Sequence, residues 1–212
     1  DVRHPDVPIL DVLGTLLGDF ITMVAAILGL AAVMQSATDQ RVRERIAARY
    51  DDLFTATGKP KAGSSPELAR AQLAAFGSTR HKDTKVEDDA NIRALLQADT
   101  PVITIFGKTW DLHVTEALGA TLEQNLEMIR DSVAFVKSKG KTVIYDAEHF
   151  FDGYKANPEY ATACAKAAYD SGARWVVLCD TNGGTLPSEV SEIVRTMTNT
   201  VPGSHLGIHA HN

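Results

Sequence analysis

From residue 66 onward the chain alternates between two hydrophobic periods. Short runs rich in β-branched residues, Ala71–Phe76, Val102–Phe106, Thr142–Tyr145, Trp175–Cys179 and His205–His209, are nearly continuous in apolar character. That is the pattern of strands buried on both faces. Between them lie Val86–Gln97, Thr121–Lys139, Pro158–Ser171 and Pro187–Thr198. In the second of these, Leu122, Leu126, Ile129, Val133 and Val136 recur at helical spacing. In the third, Tyr160, Ala163, Cys164, Ala167 and Ala168 share one face. Buried strands alternating with amphipathic helices predict an α/β fold, a parallel sheet covered by helices. The strands recur every 30–40 residues or so, about the length of a right-handed βαβ unit. The pattern fits an open doubly wound sheet and a closed (β/α)8 barrel equally well. No GxGxxG run is present, which weakens the dinucleotide-binding version of the former.

Residues 1–65 read as a helical segment of another texture. From Val12 to Met34 the only charged residue is Asp19. The uncharged part, Phe20–Met34, is shorter than the roughly 18–20 residues of a membrane span, and Asp19 would be costly in lipid. Only Arg3 and His4 precede it as basic residues, among three acids (Asp1, Asp6 and Asp11), so a secretory leader is not indicated. A buried core helix is the expectation, with a membrane segment as the alternative. A second helix is expected over Thr38–Ala56, capped by Thr38 or Asp39, with Val42, Ile46, Ala47, Tyr50 and Leu53 on one face. The Gly/Pro/Ser-rich stretch Gly58–Pro66 marks the clearest boundary. Two regions follow, 1–65 and 66–212.

Composition narrows the function classes. The 212 residues are 44% apolar and 23% charged, which rules out a disordered, collagen-like or disulfide-scaffold chain. A formal net charge of −6 argues against nucleic acid as a partner, since non-specific binders usually show a basic face. The two cysteines, Cys164 and Cys179, form no CxxC pair. A reducing, cytoplasmic setting is expected, with Cys164 a small core residue among alanines.

In folds of this kind reactive groups gather at the carboxyl ends of the strands. All five runs end in polar residues: Gly77-Ser78-Thr79-Arg80, Gly107-Lys108-Thr109-Trp110-Asp111, Asp146-Ala147-Glu148-His149, Asp180-Thr181-Asn182-Gly183-Gly184 and His209-Ala210-His211-Asn212. They would converge on one face. Residues two apart on a strand point to the same side, with Cα atoms about 6–7 Å apart. His209 and His211 can therefore hold one divalent ion, Mn, Mg or Zn. Glu148 suits acid/base work or ligation; an ion pair with His149 or Lys108 is the plainer reading. The small residues of 180–184 let a substrate approach the backbone, or form an ordinary capped turn. Arg80 and Lys108 could each pair a substrate carboxylate or be solvated charges. His113 and His149 read as structural or rim residues.

The runs LAAFGSTR (73–80), VITIFGKTWDLHV (102–114), VIYDAEHFFDGYKANPEY (143–160), WVVLCDTNGGTLP (175–187) and GIHAHN (207–212) together resemble the 2-isopropylmalate/homocitrate synthase family, on its citramalate synthase branch. These are DRE-TIM metallolyase barrels. The resemblance implies a TIM (β/α)8 barrel with its site at the carboxyl face. It also implies an acyltransferase that condenses acetyl-CoA with pyruvate to give citramalate, a step of branched-chain amino acid biosynthesis. 2-Isopropylmalate or homocitrate synthesis is the alternative. By the same resemblance His209 and His211 are metal ligands, Glu148 is the family's fifth-strand glutamate, and Thr181 holds the keto acid carboxylate. Arg80 and Asn182 are further substrate-binding candidates. The family's full-length members imply a homodimer.

The chain departs from the family at both ends. The first-strand TLRDG motif, source of a catalytic Arg and a metal-binding Asp, is not found. Its nearest match, Thr15-Leu16-Leu17-Gly18-Asp19, lacks the Arg and shifts the Asp by one. The second-strand Ile-Glu-Gly-Gly-Trp-Pro type run is not found either, and the eighth strand and regulatory domain that the resemblance implies are not expected within these 212 residues. The expectation is a partial barrel, strands three to seven, preceded by a helical segment unrelated to the family. Its activity would be low or nil. The non-enzyme alternative is an inactive barrel fragment fused to an apolar helical anchor.

Overall fold

A computed structural model of the chain describes residues 72–211. The expected N-terminal helices, the apolar stretch Val12–Met34, the Gly58–Pro66 boundary and Asn212 lie outside the described residues. Among the described residues no helix is long and apolar enough to cross a membrane.

The elements run β1 (Ala74–Ser78), α1 (Ala90–Gln97), β2 (Val102–Lys108), α2 (Asp111–Glu116), α3 (Leu122–Ser138), β3 (Thr142–Glu148), α4 (Phe150–Ala156), α5 (Pro158–Asp170), β4 (Trp175–Asp180), α6 (Pro187–Met197), a 3-10 turn (Gly203–His205) and β5 (Leu206–Ala210). The five strands lie in sequential order, β1-β2-β3-β4-β5. The pairs β2–β3, β3–β4 and β4–β5 are parallel. A doubly wound sheet reverses its strand order at a switch point; this one never does. The order is that of an arc of a (β/α)8 barrel, which separates the two folds that the hydrophobic pattern left equal.

Local chemistry sets the element ends. Thr121 caps α3: its hydroxyl accepts from the Gln124 N–H at 3.1 Å, and the Gln124 side chain accepts from the Thr121 N–H. Pro158 and Pro187 open α5 and α6, where a missing N–H costs nothing. The first helix begins at Ala90, not at Val86, because Asp89 caps it. The buried Asp89 carboxylate accepts from the Ile92 N–H at 3.0 Å and from the His81 N–H at 2.9 Å. That ties down the whole loop after β1. The first strand starts three residues later than expected and ends on Gly77 and Ser78, and β2 and β3 run on through Lys108 and Glu148.

One face of the sheet carries the core. Ile103 and Ile105 of β2, Val143 and Tyr145 of β3, and Val176 and Leu178 of β4 cluster with α3 (Ile129, Val133, Val136), α5 (Ala161, Cys164, Ala165, Ala168) and α6 (Ile193, Met197). All of these side chains are buried. The small residues of α5 let its backbone approach β3 and α3 closely. Cys164 sits among them as a core residue, its thiol pushed up to about 12 by burial. Ile129→Ala should cost about 2–5 kcal/mol by removing the three buried carbons beyond Cβ from this cluster. Urea unfolding measures it, and an unchanged midpoint would mean that α3 does not pack as described.

Candidate active site

Alternation along the strands leaves the other face for a different set of residues. By register, Phe106, Asp146, Val177 and Gly207 form one row across β2–β5. Two residues further on, Lys108 pairs with Glu148 and Cys179 pairs with His209. Glu148 stands one step beyond the Ala147–Leu178 pair, beside Cys179. Strands are about 4.8 Å apart, so Glu148 and His209 are two strands, on the order of 10 Å, from each other. Below this polar row Phe106 stacks on Phe76 of β1, ring centroids 5.2 Å apart.

In the polar row, the Lys108 ammonium donates to the Glu148 carboxylate at 2.8 Å. Of the partners weighed for Glu148, the structure gives it Lys108. Thr109 then joins the two strand ends, its hydroxyl donating to the Glu148 carbonyl at 2.7 Å.

His149, directly after β3, is left-handed (φ 54), a conformation uncommon for a residue with a Cβ. Its N–H donates to the Thr181 hydroxyl at 2.9 Å. Its Nδ1 lies 3.2 Å from Asp152, whose same oxygen accepts from the Asn182 amide at 2.9 Å. Thr181 and Asn182 are thus fixed from the β3 side. The Thr181 hydroxyl proton has no acceptor among the described residues and is available to a ligand. Beyond them, the His113 ring meets Trp110 (4.7 Å) and His149 (4.4 Å, edge-on). Burial lowers the His113 pKa first, with the His149 and Lys108 charges adding to it. Its imidazole is therefore neutral at neutral pH, as a rim residue rather than a charged anchor.

Asp180 closes the turn after β4. Its carboxylate accepts from the Thr185 N–H and hydroxyl, each at 3.0 Å. That is the ordinary turn weighed for this run, and Thr181 and Asn182 ride on it. Arg80 lies apart from the polar row. Its guanidinium pairs with Asp131 of α3 at 2.7–2.8 Å and donates to the carbonyls of His81, Lys82 and Thr84. Those contacts account for the side chain as the anchor of the β1 loop.

The imidazoles of His209 and His211 lie face to face, centroids 4.8 Å apart and planes 28° apart. Two rings sharing one ion, each with a nitrogen about 2.1 Å from it, have centroids roughly 4.5–5 Å apart. His209 Nδ1 is 3.8 Å from an Asp146 oxygen. Asp146 is buried, and its other oxygen has no hydrogen-bond partner among the described residues. An unpaired oxygen on a buried carboxylate is costly unless a cation completes it. This donor set fits a divalent metal ion. Cys179 also stands here, its thiol pushed well above the usual range by burial first and then by the Asp146 and Glu148 carboxylates. The sequence shows Asp146 only as one of the polar strand tips, with no ligand role marked out, and Cys179 as the last residue of an apolar run. The signal for Asp146 was its i, i+2 relation to Glu148 on one strand.

Fold and site together define a class: a parallel α/β barrel arc carrying metal-compatible donors and polar groups at its strand carboxyl ends. A family model described as HMGL-like matches residues 65–212. The chain belongs to the HMGL-like family. It is 54% identical over 183 residues to an (R)-citramalate synthase of Geobacter sulfurreducens, covering 79% of this chain and 34% of that protein. It is 50% identical over 181 residues to an (R)-citramalate synthase of Aquifex aeolicus, again 79% and 34%. The chain thus spans about a third of the length of these relatives. Among solved structures, a hydroxymethylglutaryl-CoA lyase from Pseudomonas aeruginosa superposes with a TM-score of 0.55 at 16% identity, covering 70% of this chain and 46% of that one. That likeness supports the barrel-type fold.

Proposed function

We propose that the chain carries part of the catalytic barrel of a citramalate synthase, an acyltransferase joining acetyl-CoA to pyruvate. The observation that carries this is the polar row Lys108–Glu148–Cys179–His209, set at the strand carboxyl ends of a chain half identical to two such synthases.

The reaction needs a keto acid held by its carboxylate, a proton removed from the acetyl methyl group, and a developing negative charge stabilised. Thr181 serves the first need. Its oxygen accepts from the His149 N–H, which leaves the hydroxyl proton to be donated to the carboxylate. Asn182, held by Asp152, stands beside it as a second contact. Glu148 is the acid/base partner, and Lys108 keeps a positive charge at 2.8 Å from it, balancing the site as protons move. His209 and His211, with Asp146 beside them, would hold a divalent ion (Mn, Mg or Zn), which supplies Lewis-acid polarisation of the keto carbonyl. Two free cysteines fit a reducing, cytoplasmic setting.

Thiol release from acetyl-CoA by the 212-residue chain tests the reading, with pyruvate, a branched-chain 2-oxo acid and 2-oxoglutarate compared. Pyruvate should give the fastest release, by about tenfold or more, the discrimination that a few methylenes in a closed pocket afford. Faster release with a larger 2-oxo acid would move the chain to the isopropylmalate or homocitrate branch. No release with any of them, together with pyruvate binding seen by ligand-detected NMR, would make it a binding-competent but inactive barrel segment.

A further inference from the structure

We propose that Asp146, Cys179 and His209 form a three-donor site for a thiophilic divalent cation of the zinc class, set deeper along the strands than the His209–His211 pair. One donor atom from each of the three residues lies within 4.8 Å of the others. They come from three adjacent strands, β3, β4 and β5, whose register puts Cys179 directly opposite His209.

The distances suit a shared ion better than direct contact. His209 Nδ1 and the Asp146 oxygen are 3.8 Å apart, too far for a hydrogen bond. Donors around a tetrahedral ion at about 2.0–2.3 Å are themselves roughly 3.3–3.7 Å apart. Shifts of an ångström or less would therefore close the set. Asp146 is 3% exposed, and one of its oxygens lacks any partner among the described residues. Cys179 is 4% exposed, so no bulk solvent competes for its sulfur. A sulfur, an imidazole and a carboxylate make a borderline-soft set, which selects Zn²⁺, Co²⁺ or Cd²⁺ over Mg²⁺ and Mn²⁺. His211, exposed and one residue beyond β5, is not needed for it.

The site shares His209 and Asp146 with the donor set of the proposed function and to that extent rests on that reading; Cys179 in place of His211 sets it apart. Zinc absorption-edge spectroscopy on the zinc-loaded full chain tests it directly. The expected shell contains one sulfur at about 2.3 Å with nitrogen and oxygen at about 2.0–2.2 Å. Cys179→Ser should remove the sulfur and weaken Zn²⁺ binding by about tenfold or more, while Cys164→Ala and His211→Ala keep the sulfur shell. A shell of nitrogen and oxygen alone in the unmutated chain would overturn the proposal, and so would a sulfur that survives Cys179→Ser. Should Cys179→Ser not fold, Asp146→Asn decides in its place: the proposal requires weaker Zn²⁺ binding with the sulfur retained, and unchanged affinity overturns it. An ion bound without sulfur and lost in His211→Ala would remove this site yet leave the histidine pair of the proposed function standing.

Discussion

His209→Ala should lower divalent-cation affinity about a hundredfold or more in calorimetric titration of the full chain with Mn²⁺ and Zn²⁺. The side chain belongs to both donor sets, facing His211 at 4.8 Å on one side and Asp146 at 3.8 Å on the other. Supporting groups that only orient a metal ligand are worth 10–100-fold in affinity, so loss of a ligand common to both sets should reach the upper end of that range or pass it. His211→Ala should cost less for Zn²⁺ than for Mn²⁺, because Asp146 and Cys179 remain for the softer ion. Equal heats for the parent chain and His209→Ala would remove both metal readings at once. The fold should tolerate the change, since His209 is part-exposed near the end of β5 and outside the hydrophobic core.

The second large effect is on stability, and it comes from a glycine. Gly153 of α4 packs on the segment that follows β2. A Cβ there would lie 2.5 Å from the Thr109 carbonyl oxygen and 2.9 Å from the Trp110 Cα. Both are backbone atoms, so no rotamer change relieves the contact. Thr109 is itself fully buried and bonded to the Glu148 carbonyl, so it cannot move without loosening the β2–β3 end. Gly153→Ala should therefore cost about 1–3 kcal/mol, and Gly153→Val more, by overpacking. Gly184→Ala is the matched control. A Cβ at Gly184 meets nothing within 4 Å, and the change should stay within about 0.5 kcal/mol. Urea midpoints decide it; Gly153→Ala as stable as the parent would mean that α4 does not seat on the β2 loop. Any loosening there should also reach the site, because His149 opens α4 and holds Thr181.

The fold was legible wherever one physical signal dominated. β2, β3 and β4 are apolar on both faces, so their runs stand out, and α3 and α5 are long enough to show their period. For β1 the apolar pattern begins three residues before the strand does, because its end, Gly77-Ser78, is not apolar while Leu73 before it is. The short helices α2 and α4 leave no periodic signal in the sequence. At six and seven residues they span barely two turns, and α4 starts from a left-handed histidine and contains a glycine. The hydrophobic pattern could not choose between an open sheet and a barrel, since both need the same buried strands. Strand order, a long-range property, made the choice.

The site was legible as polar strand tips and not as pairings. Lys108 and Glu148 are 40 residues apart in the chain and meet only through register. The pairing of Arg80 with Asp131, 51 residues on, likewise gives no local sign of itself in the sequence, which shows Arg80 only as a cation at a strand tip. Cys179 is hidden for the opposite reason: it closes a run whose apolar neighbours announce burial. Asp146 is legible as a polar tip, and only the strand register and the fold show that it and Cys179 meet His209.

The central claim is that the carboxyl ends of β2–β5 build one cation-holding polar site. Mn²⁺-induced broadening in NMR spectra of the full chain tests it most directly. The account predicts that His209, His211, Glu148 and Thr181 broaden first, while residues 139–141, at the far end of β3 and about 20 Å from Glu148 by strand length, keep their signals. Broadening that begins elsewhere, or that spares His209 and Glu148, would contradict it.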